Sequence, residues 1–110
     1  MKKYKGIIVE QSLRDRGFLR NIEILSSEIY PNFGWKLIKV NIPKDKVIEL
    51  SKNLNDKKWY AHFWSGKDVI AVFQNKIFEF NYDKKETWKE AVDYGLSLGI
   101  PLEQLDFPTE

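Results

Sequence analysis

The spacing of apolar positions divides this chain into stretches of two-residue and of helical period. Tyr4–Ser12 opens it with a β-branched run that reads as a strand. Arg14-Asp15-Arg16-Gly17 is a polar turn, and Phe18–Asn21 fits a short helical turn. Glu23–Tyr30, apolar at Ile24, Leu25 and Ile29, reads as a second strand, and Pro31-Asn32-Phe33-Gly34 supplies the turn after it. Trp35–Ile42 alternates most clearly. Trp35, Leu37 and Lys39 fall on one face, and Ile38, Val40 and Ile42 on the other with Lys36 at the strand mouth, a β-branched side suited to a cover of helices.

Pro43 begins a different pattern. Val47, Leu50, Ser51 and Leu54 recur at helical spacing, with Pro43 and Asp45 where a helix N-terminus favours them. WYAHFW at 59–64 follows as a strand, Ser65-Gly66-Lys67-Asp68 as a hairpin connection, and Val69–Gln74 as the return strand. The return strand is apolar almost without a break, which implies burial on both of its faces. Asn75-Lys76 is a second tight connection, and Ile77–Asn81 completes a three-strand meander. Asp83 and Glu86 have capping-box spacing before a helical stripe of Trp88, Ala91, Val92, Gly95 and Leu98. Gly95 implies close helix-on-sheet contact, Gly99 suits a C′ stop, and Pro101 forbids continuation. The tail is expected to return Leu105 and Phe107 to the body.

The element order is therefore β-β-β-α-β-β-β-α. It predicts a single α+β domain over residues 1–110, with a mainly antiparallel sheet and two helices packed on one face as a ferredoxin-like variant. At 110 residues the chain is long enough for one core. Its hydrophobic fraction of 43% and charged fraction of 31% are those of a folded chain. Sixteen aromatic residues, four of them Trp, enlarge that core.

Composition then narrows the chemistry. The absence of cysteine excludes disulfides and thiolate chemistry. The basic start is followed only by Ile7, Ile8 and Val9 before Glu10, too short for a signal peptide, so a cytoplasmic protein with no membrane partner is expected. One histidine, no D-x-D-x-D-G loop and no H-x-x-x-H pair argue against a metal, and six singly placed glycines offer no phosphate loop, so no cofactor is implied. Residues 1–55 hold 11 Lys/Arg against 6 Asp/Glu, and residues 56–110 hold 7 against 10. The basic residues are scattered, and that asymmetry is weak evidence for a polyanion partner.

Candidate function concentrates in WYAHFW. Strand alternation assigns Trp59, Ala61 and Phe63 to a helix-covered core face, and leaves Tyr60, His62 and Trp64 on the opposite one. That second face is either a ligand or partner surface or a further apolar layer, covered by the tail, the N-terminal segment or a second subunit. Asp68, across the hairpin, is a candidate partner for His62, and Asp106 in the tail could cap a backbone N–H, pair with a basic strand residue or join His62 in a site. No catalytic motif is present.

The pair of motifs WYAHFW and YGLSLGIPLEQLDF, spanning residues 59–107, resembles a pattern of short, uncharacterised prokaryotic proteins. In these an aromatic WYAHF strand leads a meander and a helix closes into GIP-x-x-QLDF. The resemblance implies a compact stand-alone α+β domain and carries over no activity.

Three functional readings remain open. The leading one is a non-enzymatic interaction module acting through the Tyr60-His62-Trp64 face, as a homodimer. The second is a small enzyme or ligand-binding protein with His62 in a pocket. The third is single-strand nucleic-acid binding, with rings from Tyr60, Trp64 and Phe78 or Phe80 and charge from Lys36, Lys39 and Lys76. Against the third stand the missing RNP-type segment and a pI of about 8.7.

Overall fold

The computed structural model describes residues 2–31, 34–102 and 105. Six strands, β1 (Lys3–Val9), β2 (Glu23–Tyr30), β3 (Trp35–Pro43), β4 (Tyr60–Ser65), β5 (Asp68–Phe73) and β6 (Lys76–Asn81), form one sheet. Its order is β2-β3-β1-β4-β5-β6, and every neighbouring pair is antiparallel. The first strand thus enters the middle of the sheet, between a β2–β3 hairpin and a β4–β5–β6 meander. Helix α1 (Lys44–Asn53) carries the chain from β3 over β1 to β4, and α2 (Lys89–Ser97) follows the meander.

The helices lie on opposite faces, which corrects the expectation that both share one. Val47, Leu50 and Leu54 pack with Tyr4, Ile8, Ile38, Val40, Ile42, Phe63, Ile70 and Val72. Ala91, with Val92 and Leu98 beside it, packs with Trp64, Val69, Ala71, Phe73 and Phe80. Neighbouring residues of β5 therefore belong to different layers, and all of Val69–Phe73 is buried. An α–β–α half of this kind departs from the expected ferredoxin-like arrangement.

Local details show why each element holds. Gly6 lies opposite Phe63 on β4, and a Cβ there would overlap the Phe63 ring, so the glycine lets the ring lie flat on the backbone of β1. The hairpin turns use Gly66 (φ 60°) and Asn75 (φ 61°). Pro43 caps α1. The capping box expected at Asp83 and Glu86 does not form. Lys85–Trp88 is a 3-10 turn instead, and Asp83 is ion-paired with Lys67 at 3.4 Å. Thr87 Oγ1 donates to the Lys84 carbonyl at 2.6 Å, and Trp88 Nε1 donates to the Asn81 carbonyl at 2.9 Å, tying this turn to the end of β6. The close contact expected between Gly95 and the sheet is instead with the tail, where a Cβ on Gly95 would lie 2.6 Å from Leu105 Cδ2.

Two 3-10 turns, Glu10–Ser12 and Arg16–Asn21, bridge β1 to β2 and are latched to the end of α1. Asn53 donates to the Asp15 carbonyl and accepts from the Asp15 N–H, both at 2.8 Å. Asn55 Nδ2 donates to the Gln11 carbonyl at 2.9 Å. These bonds satisfy loop backbone that no strand or helix ladder reaches.

Candidate functional site

The two sheet faces are unequally covered. The 3-10 turns and α1 cover one from β3 to β5. On the other, among the described residues, α2 and Leu105 cover the β4–β6 half. What remains open there follows from the register. Glu28, Leu37 and Val9 form one row across β2, β3 and β1; Ser26, Lys39 and Ile7 form the next; Glu23, Asn41 and Lys5 form a third, which ends against the buried Trp64 of β4. Residues opposite one another share a face, so these rows make one surface.

Ile7, 42% exposed, stands at its centre with a groove on either side. One groove, about 240 Å³, is lined by Ile7, Val9, Trp35, Lys58, Tyr60 and His62 among others. The second, about 210 Å³, is lined by Ile7, Leu37, Lys39, Ser26 and Glu28 among others. Trp35 closes the first against Trp59, the two rings meeting edge-on with centroids 5.1 Å apart. Gln11 fixes the approach to Trp35, because its side chain accepts from the Lys36 N–H at 3.1 Å and donates to the Gly34 carbonyl at 3.2 Å.

The residues singled out in the sequence take different places. Trp64, 5% exposed, is buried in the α2 layer. Tyr60 and His62 are half-buried at the boundary between the covered and the open halves. The Tyr60 ring stacks on Phe73 at 5.8 Å, and the His62 ring sits 5.4 Å from that of Trp64, tilted by 33°. Asp106 lies outside the described residues, as does Phe107. Asp68 stands opposite Ser65 at the hairpin end, where its carboxylate pairs with Lys2; the strand partner of His62 is Ala71.

The rings considered for stacking on a nucleic acid do not form one platform. Phe80 is buried beside Trp88, and Phe78 packs against Tyr94 and Phe73. Lys76 reaches over the Phe78 and Tyr94 rings, while Lys36 lies 4.0 Å from Glu10.

Sequence reasoning missed Ile7, Val9, Trp35 and Leu37 as site residues. The alternation of β1 and β3 carries the signal, since odd positions share the open face. What joins them to His62 is the pairing of β1 with β4, which no local pattern encodes. Among the described residues no group of three or more His, Asp or Glu could hold a metal ion, and no helix is long and apolar enough to cross a membrane. Family models, curated proteins and solved structures alike give no match to the chain.

Proposed function

We propose that this protein is a non-enzymatic interaction module, and that its working surface is the open half of the sheet face centred on Ile7. One observation carries the reading: among the described residues α2 stops at β4, and apolar Ile7, Val9 and Leu37 line two adjoining grooves with Trp35, Tyr60 and His62. Such a patch on an otherwise charged chain is the usual mark of a contact surface.

Charge favours the kind of partner. Lys5, Lys39 and Lys58 border the patch; among the described residues Glu28 lines the second groove, and Glu23 is paired with Lys3 at 3.5 Å. Two copies stacked face to face would oppose these lysines to one another. The better fit is a polypeptide segment that offers an apolar or aromatic anchor flanked by acidic residues.

The test is a titration followed by amide NMR, using short peptides with a central Trp or Leu and either acidic or basic flanks. The acidic series should shift Ile7, Val9, Trp35, Tyr60 and His62, and Ile7→Lys should abolish the shifts without changing the melting temperature. Equal response to both series, or shifts scattered away from Ile7, would overturn the reading.

A second reading, a small-molecule pocket, draws on His62 lining the 240 Å³ groove. Uncharged aromatic fragments that move the His62 ring signals where acidic peptides do not would favour it over the first.

A further inference from the structure

The two edges of the sheet are finished differently. β6 is six residues long, and at its end the Asn81 N–H donates to Thr87 Oγ1 while the Asn81 carbonyl accepts from Trp88. β2 is eight residues long, and every residue from Glu23 to Ile29 is exposed. It carries Leu25 at 43% and Ile29 at 63% exposure, and its outer backbone edge has no strand beside it among the described residues. An edge of that length with apolar side chains is a template for another strand.

We propose that β2 pairs antiparallel with β2 of a second copy, about a two-fold axis through Ser27, joining two sheets into one. Geometry restricts the choice of centre. A two-fold axis normal to the sheet keeps each side chain on its own face, and opposed residues must share a face. The axis must therefore pass through one residue and its copy, never between two consecutive residues. Ser26, Ser27 and Glu28 are the centres available in the regular part of the strand, beyond the register shift between Ile24 and Ser26.

Charge and face decide among them. Centring on Glu28 opposes two carboxylates. Centring on Ser26 sets Glu28, opposite Leu37, against Ile24 of the second copy, which is opposite Val40 and so lies on the other face. Centring on Ser27 sets Glu28 opposite Ser26 of the second copy, with Lys39 of that copy next in the row. Carboxylate, hydroxyl and ammonium then follow one another, with Glu28 and Lys39 two strand spacings or about 10 Å apart at Cα, within reach of their side chains. The same register sets Ile29 of each copy across from Leu25 of the other, the residue at the register shift, so that an exposed apolar side chain stands at either end of the paired segment. An axis of this kind also keeps the open faces of both copies on one side, though the pairing does not rest on that face having a partner.

Because the chain has no cysteine, Ser27→Cys introduces a single thiol. Opposed Cα atoms in an antiparallel pair are about 4.5–5.5 Å apart, within disulfide range, whereas positions displaced by one residue sit about 7–8 Å from their own copies. Mild oxidation should convert Ser27→Cys to a covalent dimer about tenfold faster than Ser26→Cys or Glu28→Cys. Light scattering of the cysteine-free chain should show a concentration-dependent dimer, and Ile29→Lys should weaken it about tenfold with an unchanged melting temperature. A monomer throughout a series reaching the millimolar range, or equal cross-linking at Ser26 and Ser27, would overturn the proposal.

Discussion

At the scale of single residues, burial separates positions that hold the fold from those that face outward. Trp64 belongs to the aromatic strand that drew attention in the sequence, yet it is only 5% exposed. Truncating a buried Trp typically costs about 3–5 kcal/mol, so Trp64→Ala should lower stability in chemical denaturation by that order. Any binding lost in that variant would report unfolding. Ile7→Ala, at an exposed position, should keep stability within about 1 kcal/mol and still weaken peptide binding. Gly99 answers to backbone conformation alone. Its φ is 88°, and a Cβ added there would meet nothing within 4 Å. It ends α2 with paired bonds, Gly99 N–H to the Leu96 carbonyl and Ile100 N–H to the Gly95 carbonyl. Gly99→Ala should therefore cost about 1–2 kcal/mol through φ strain, with no change in the core.

At the scale of elements, most of the strands and the first helix were legible, and the reasons are local. β2 spans the residues expected of it, and Ile38, Val40 and Ile42 lie under α1 as their alternation implied. The placement of the second helix was misread, although a clue to it was noted in β5. A β5 apolar at every position from Val69 to Phe73 needs cover on both faces, which two helices on one face cannot supply. The start of α2 was misread because Asp83 and Glu86 match a capping box, while Thr87 and Trp88 bind the end of β6 and hold the first turn in 3-10 geometry. The insertion of β1 between β3 and β4 was not legible, because pairing between distant strands leaves no periodic trace. The open site depends on that insertion, so Tyr60 and His62 were found and Ile7 was not. The latch at the end of α1 is equally long-range. Asn53→Ala removes both side-chain bonds to Asp15 and should cost about 1–2 kcal/mol, with faster amide exchange confined to residues 13–21.

At the scale of the whole molecule, three of the surface ion pairs change how their lysines titrate. Lys2 pairs with Asp68 between the start of β1 and the β5 end of the hairpin, and Lys44 with Glu79 at 2.8 Å between α1 and β6. Lys89 pairs with Asp93 at 2.7 Å within α2. In each case the hydrogen bond to the carboxylate raises the lysine above its ordinary value of 10.5, outweighing the opposing effect of burial. A raised value in the folded state means that the folded protein holds these protons more tightly than the unfolded chain does. The stabilisation is thus fully present below pH 10.5 and is lost as pH rises through the folded-state values. All three pairs are exposed, so salt should erode the same contribution at neutral pH. Other side chains also titrate in the alkaline range, and a fall in melting temperature there would not by itself identify these lysines. Arginine keeps its charge throughout it. Replacing Lys2 and Lys44 together by Arg should therefore leave the melting temperature near neutrality almost unchanged and reduce its fall between about pH 9 and about pH 11.5, which thermal melts of both proteins would measure. Equal falls in the two would show that the Lys2 and Lys44 pairs do not carry the alkaline transition.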